Sequence, residues 1–391
     1  MDATAEVVRR MEGGGLAEDS PRVCELSVRD FRSYDRGRFR FGGGLTVIFG
    51  PNGAGKTNLL EALYFGCTGR SCRASNEREV VRFGAGSTRV TVTARAPDGD
   101  HELAVGFVPG EPKHLSVDGA SVETLLGSSA RPLLTVFLPD RLELIKGPPS
   151  IRRAHLDQLV AALWPARVAT RRAYAQALAQ RNALIARIRA RGGSRGGLTA
   201  WDLQLARHGL ALMQDRTAGV EAAAGLAAEV AAELGLGGMA TLAYRPRSAA
   251  STVEDLAAEL AARTDGDLER GFTGHGPHRD ELAVLRDGRD LRTYGSQGQQ
   301  RLVLLALLLA EHEAIGRLRG TLPVMLLDDV MSELDSERRQ ALSVRLRCAA
   351  GQTVITASEL DHVPGADADD VATLAVPAGR NLGSRSQPGA G

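Results

Sequence analysis

A chain of 391 residues, 43% hydrophobic and 24% charged, is long enough for a large buried core and belongs among folded globular proteins, not disordered or fibrous ones. Its formal net charge of +1 provides no global attraction to nucleic acid, so any such binding must come from local patches. The four cysteines (24, 67, 72 and 348) have no paired ligand spacing, which argues against a disulfide scaffold or zinc site, and the longest apolar run, 302–310, is too short to cross a bilayer.

In chain order, residues 1–21 read as a flexible arm without the apolar stretch of a signal peptide, so a cytoplasmic location is expected and no membrane partner. From 22 to 149 strand patterns dominate. Residues 45–49 form an apolar strand, and 88–96 and 101–108 alternate with period two around an Asp98-Gly99 turn, with a further such turn at Asp118-Gly119. From 150 to 270 alanine, leucine and arginine take over at helical spacing, as in 161–190 and 220–236, with a glycine-rich break at 191–197. From 271 to 376 strands return at 281–285, 323–327 and 353–356, with a helix over 299–317 between the first two. Residues 377–391, rich in Gly, Ser, Pro and Arg, read as a flexible tail. Strand-rich ends around a helical middle predict one α/β domain with an inserted helical domain. No internal repeat is evident.

Four motifs carry chemistry. Gly50-Pro51-Asn52-Gly53-Ala54-Gly55-Lys56-Thr57 fits a phosphate-binding loop, with a strand entering and a helix beginning through Asn58, Leu59 and Leu60. Glycines let backbone N–H groups close around phosphates, Lys56 reaches the β- and γ-phosphates, and Thr57 offers a hydroxyl to Mg²⁺. Lys56 is also one of just three lysines, with Lys113 and Lys146, among 48 cationic residues. The apolar strand ending in Asp328-Asp329 places one carboxylate to hold Mg²⁺ and the next to polarise an attacking water, although an acidic helix cap has the same local pattern. Ser296-Gln297-Gly298-Gln299-Gln300-Arg301 opens a helix with N–H groups and a hydroxyl suited to a γ-phosphate. Ser332-Glu333-Leu334-Asp335 follows the paired carboxylates.

Taken in chain order (50–57, 296–301, 328–329, 332–335), the four elements resemble an ABC-type ATPase head, with Ser296–Arg301 as signature and 332–335 as D-loop. Within that class the chain resembles the RecF family. The resemblance runs from Cys24 to about Thr356 and includes Leu26–Tyr34, Phe137-Leu138-Pro139-Asp140, Ile145-Lys146-Gly147-Pro148-Pro149, Arg152-Arg153 and Gly276-Pro277-His278-Arg279-Asp280. It implies an ABC-type head with a mixed sheet, in parts 22–149 and 271–376, interrupted by a helical arm domain at 150–270. It further implies ATP and Mg²⁺ as cofactors, an ATP-dependent homodimer, double-stranded or gapped DNA, and mediator partners of the RecR and RecO type. ATP would lie between Gly50, Asn52, Gly53, Ala54, Gly55, Lys56, Thr57 and Asn58 of one copy and Ser296, Gly298 and Gln299 of the other. Lys56 and Asp329 would be catalytic, and Thr57 and Asp328 would hold the metal. Where this class places a switch histidine, the chain has Thr356 and Ser358.

Other residues carry two readings each. Arg32, on the opening strand, is a nucleotide contact or an ordinary surface arginine. Between 165 and 200 stand eight arginines and no acid. Together with Arg152 and Arg153, arginines 181, 187 and 189 are candidate DNA contacts. The same segment would equally pair with the acid-rich stretch 252–269 inside the arm. His275, His278 and Asp280 lack further ligands for a metal site.

Overall fold

The computed structural model describes residues 20–74, 76–192 and 194–377; the expected arm and tail lie outside these, apart from their inner edges. The chain falls into two compact units, residues 1–139 with 315–391, and residues 140–314.

In the first unit, a six-stranded antiparallel sheet has the order β2 (Tyr34–Arg40), β1 (Arg22–Phe31), β4 (Thr88–Ala96), β5 (Gly99–Phe107), β6 (His114–Val117), β7 (Ala120–Ser121). A five-stranded parallel sheet has the order β14 (Ala372–Ala375), β3 (Leu45–Phe49), β13 (Thr353–Ala357), β12 (Val324–Leu327), β8 (Leu134–Phe137). The expected mixture of strand directions is thus distributed over two sheets. Sequence pattern explains the sorting. β4 alternates buried and exposed positions, as a strand with one wet face must, whereas β12 and β13 are buried throughout, as strands covered on both faces are.

Helix α1 (Lys56–Thr68) packs on β1, β4 and β5 and also on β13, so it sits between the sheets. Its buried face, Leu59, Leu60, Leu63 and Phe65, joins Leu26, Val28, Phe31, Ile48, Val90 and Val92 in one core. Gln352 stitches the layers together: its side-chain amide accepts from the N–H of Val23 at 2.8 Å and donates to the carbonyls of Val23 and Gly42 at 2.7 Å each.

The second unit is mostly helical: α2 (Glu143–Lys146), α3 (Pro149–Leu163), α4 (Val168–Arg191), α5 (Gly196–Glu233), α6 (Val253–Ala262), α7 (Thr264–Arg270), α8 (Leu291–Tyr294) and the start of α9 (Gln297–Arg319). Helix α10 (Ser336–Cys348) returns to the first unit. α4 and α5 form a hairpin whose core is Tyr174, Ala177, Leu205, Ala206, Leu212 and Met213, closed by Leu256 and Leu260 of α6. A three-stranded sheet, β11 (Arg289–Asp290), β10 (Glu281–Arg286), β9 (Ala240–Arg245), completes this unit. Pairing of β9 with β10 is what ties residues beyond 270 to the helices before them.

Candidate functional site

The parallel sheet delivers the loop. β3 ends at Phe49, and the next eight residues turn back into α1. Gly50, Gly53 and Gly55 have φ of 152°, 80° and 107°, values that side-chain-bearing residues rarely adopt. At Gly50 a Cβ would lie 2.1 Å from the Val376 carbonyl oxygen, because β14 runs alongside. α1 therefore starts abruptly on Gly55, with its first-turn N–H groups lacking intrahelical acceptors and no acidic side chain in that turn. This is the positive pole that an anion would occupy. Lys56 is 8% exposed, and its ammonium donates to the carbonyls of Gly50 (2.7 Å) and Pro51 (3.1 Å), curled over its own loop.

The loop meets the end of β12 directly. Thr57 Oγ1 donates to both carboxylate oxygens of Asp328 at 2.9 Å, joining residues 271 positions apart in sequence. Thr356, from the end of β13, donates to Asp328 Oδ1 at 2.8 Å and accepts from the Asp329 N–H at 2.9 Å. Burial raises the Asp328 carboxyl above its usual range, against the opposing pull of the Thr356 and Thr57 hydroxyls. A buried carboxylate beside a hydroxyl, all oxygen, fits a hard divalent cation such as Mg²⁺, whose charge would keep Asp328 ionised. Asp329 follows in the left-handed region at φ 49°, a conformation that a residue with a side chain adopts at a cost.

Sequence reading assigned Thr57 and Asp328 to one ion, and the structure brings them together. It also gives Thr356 a position that spacing alone did not reveal, linking both acidic residues. Ser358 instead contacts Nδ1 of His362 at 3.1 Å, a histidine that no motif had marked.

Arg32 is held against α1 by an ion pair. Its guanidinium forms a two-pronged pair with Glu61 of α1, at 2.9 and 2.7 Å, and Glu61 is completely buried. Ser71 donates to the same carboxylate at 2.6 Å and Arg73 stands 3.6 Å away. A buried charge needs such partners, and Glu61 binds Arg32 to the helix rather than leaving it free at the surface. Around the loop, Tyr34 donates to the Gly55 carbonyl (3.0 Å) and Asn58 to Ser33 Oγ (2.9 Å). Glu61, a charged residue on an apolar helix face, was the available signal for this network.

In the second unit, Ser296 and Gln299 cap α9 reciprocally. The Gln299 side chain accepts from the Ser296 N–H at 3.0 Å, and Ser296 Oγ accepts from the Gln299 N–H at 3.3 Å. A Cβ on Gly298 would meet nothing within 4 Å, so this helix start is open. Gln300 is buried and donates to the Leu291 carbonyl at 2.8 Å, fixing the preceding turn. Tyr294, just before this helix, is 70% exposed.

The arginine set divides. Arg181 is fully buried and bonded to Asp202 (2.6 Å), Asp267 (2.7 Å) and Thr273 (2.8 Å). Arg152 is also buried, gripping Glu281 at 2.7 and 2.9 Å and the Gly147 carbonyl at 2.8 Å. Neither can face DNA, because desolvated guanidinium groups have been matched to internal acceptors. Arg153 donates to the Asp280 carbonyl at 2.8 Å, and burial lowers its pKa from the ordinary value. Arg187 and Arg189 are exposed, the latter with a long 3.5 Å contact to the Arg270 carbonyl. Arg195 pairs with Asp265 at 2.5 Å, so pairing with the acid-rich stretch accounts for part of the basic segment. His275 contacts Glu259, while His278 joins Tyr174 and the Thr273 carbonyl, and Asp280 accepts from the Arg247 N–H and from Tyr244.

Residues 25–105 match the AAA domain family. The DNA replication and repair protein RecF of Myxococcus xanthus (strain DK1622) is 38% identical over 372 residues, covering 92% of this chain and 96% of the relative. The protein of the same description from Anaeromyxobacter sp. (strain Fw109-5) is 36% identical, over 92% and 98%. Among solved structures, the recombination mediator protein RecF with ATP, of the RecFOR pathway, superposes with a TM-score of 0.77 at 30% identity, over 87% of this chain and 93% of that one. An Smc head domain from Pyrococcus furiosus, at 18% identity and a TM-score of 0.53, shares the fold. The ABC-type ATPase head expected from the motifs is therefore the fold of this chain.

Proposed function

Because the chain belongs to the RecF family of DNA replication and repair proteins, we propose that it is an ATP-gated DNA-binding switch of recombinational gap repair. The observation that carries this reading is the Thr57–Asp328–Thr356 cluster. Phosphate loop and carboxylate strand meet there, which supports a shared site for nucleotide and Mg²⁺. Gly50, Asn52, Gly53, Ala54, Gly55, Lys56, Thr57 and Asn58 surround the triphosphate, and Lys56 exchanges its two carbonyl acceptors for phosphate oxygens. Thr57 and Asp328 would hold Mg²⁺, which would screen the phosphate charge. Asp329 takes a proton from the attacking water as the new bond to the γ-phosphorus forms and the bridging bond breaks, yielding ADP and phosphate.

The second half of the site comes from another copy. Ser296, Gly298 and Gln299 present an open helix start, which is a fit for the γ-phosphate of a partner's ATP. ATP thus joins two chains, the dimer binds double-stranded or gapped DNA, and slow, DNA-stimulated hydrolysis resets it. Arg187 and Arg189 remain candidate arm contacts, and RecR- and RecO-type mediators are the expected partners in recruiting recombinase. A cytoplasmic location accords with this work, and among the described residues no helix is long and apolar enough to cross a membrane.

Sedimentation of the full chain on gapped duplex DNA, with and without ATP and Mg²⁺, tests the proposal. A dimer on DNA only with ATP is expected. Equal sedimentation in both conditions would sink the gating, and no association with DNA in either would sink the function.

A further inference from the structure

The outer face of the six-stranded sheet carries charge that the nucleotide site does not use. Leu26 and Val28 of β1, Val90 and Val92 of β4, and Leu103 and Val105 of β5 point into the core, which leaves the intervening residues on the opposite face. Strand register then sets those residues in rows. In one row Arg29 is paired with Arg36 on β2 and with Arg89 on β4, and all three are exposed. The row continues through Gly106 to His114. At the other end of the strands a row runs Arg40, Glu25, Thr93, Glu102.

The two ends differ in neutralisation. Glu25 takes Arg38 at 2.5 Å and Arg40 at 3.4 Å, and Arg95 pairs with Asp100 at 2.6 Å. At the basic end, neither Arg36 nor Arg89 has an ion pair among the described residues. Arg29 has Asp30 at 3.8 Å, but Arg82 already holds that carboxylate at 2.7 Å. Like charges directly opposite one another weaken a sheet. Three arginines in register are therefore a local cost to folding that a bound polyanion would relieve.

We infer that the Arg36–Arg29–Arg89 row is a docking strip for the phosphate backbone of duplex DNA. With neighbouring strands about 4.8 Å apart, the three stems span about 10 Å. That is the axial rise of about three nucleotides of one DNA strand. The row between the two ends, Arg38, Ser27, Thr91, Ala104 and Ser116, is largely small residues, and no row contains Phe, Tyr or Trp. A face without stacking platforms selects duplex phosphates over the unstacked bases of a single strand. The strip is also joined to the nucleotide loop. The hairpin that carries Arg29 and Arg36 also carries Ser33 and Tyr34, which are bonded to Asn58 and to the Gly55 carbonyl. DNA on the strip and nucleotide on the loop would thereby act on one hairpin.

This inference rests on the DNA-binding reading above and adds the residues that meet the phosphates. Its test is fluorescence anisotropy of a labelled duplex titrated with the full chain, ATP and Mg²⁺ over a range of salt. The Arg36→Ala/Arg89→Ala variant is expected to bind at least about tenfold more weakly, with the salt slope reduced by about 2. Arg40→Ala, at the neutralised end, should match wild type. Unchanged affinity and slope in the double variant, with ATP binding intact by calorimetry, would overturn the strip and leave DNA binding standing. Wild-type protein that ignores duplex would overturn both. A double variant that keeps duplex but loses labelled polyglutamate would assign the row to an acidic protein and overturn it equally.

Discussion

At the scale of single residues, Lys56 and Asp328 make opposite demands. Lys56 satisfies its charge on two loop carbonyls, which on the proposed reading it would leave for phosphate. Lys56→Ala should abolish tight ATP binding; calorimetry that finds unchanged affinity would remove the loop from the site. Asp328 sits with a raised pKa because burial penalises its charge. In the unfolded chain it titrates at the ordinary 3.8, so between that value and its raised one the folded state holds more protons. Its contribution therefore falls as pH rises through this window and stays unfavourable above it. Without nucleotide or Mg²⁺, Asp328→Asn should melt at a higher temperature than wild type at pH 8, and the gap should close as pH drops toward the ordinary carboxylate range. The same variant should lose Mg²⁺-dependent hydrolysis. A thermal-shift series across pH, beside a phosphate-release assay, checks both halves.

Elements were legible where local pattern determines them. The strand at 45–49 and the alternation at 88–96 match β3 and β4, since apolar runs and period-two alternation report burial directly. The helix at 299–317 is α9 with two more residues at each end, where the Ser296–Gln299 cap sets the start. By contrast, β9 and β14 were missed, because Ala240–Arg245 and Ala372–Ala375 become strands through partners far away in sequence. That missed pairing also explains why a change in composition at 270 does not coincide with an edge of the compact unit, which extends to 314. The meeting of Thr57 with Asp328 was readable from residue type alone, a hydroxyl after the loop lysine and a carboxylate at a strand end. Arg181 was not, since nothing local distinguishes a core arginine from a surface one. Arg181→Ala should cost about 3–5 kcal/mol by stranding Asp202 and Asp267, whereas Arg187→Ala should leave stability within about 0.5 kcal/mol. Urea unfolding midpoints of the two variants separate these roles; equal midpoints would mean that the buried cluster is dispensable.

For the whole molecule, the proposed reading has the loop and the signature completed by a second copy. Ser296→Arg puts a bulky cation at an open helix start while leaving the phosphate loop untouched. Monomer ATP affinity should remain within about twofold of wild type, since no contact to the loop is altered, and ATP-dependent dimers should disappear from sedimentation profiles. Normal dimers in that variant would refute the shared site. Lysine scarcity bears on how such assembly can be watched. Lys113 is held by the Gly69 carbonyl and Glu77, away from the loop, while Lys56 lies within it. An amine-acylating reagent therefore meets very few side-chain targets in the entire protein, and one of them is the lysine proposed to meet the nucleotide. Mass mapping of Lys56 against Lys113 makes the chain its own gauge of occupancy, with an internal standard built into the fold.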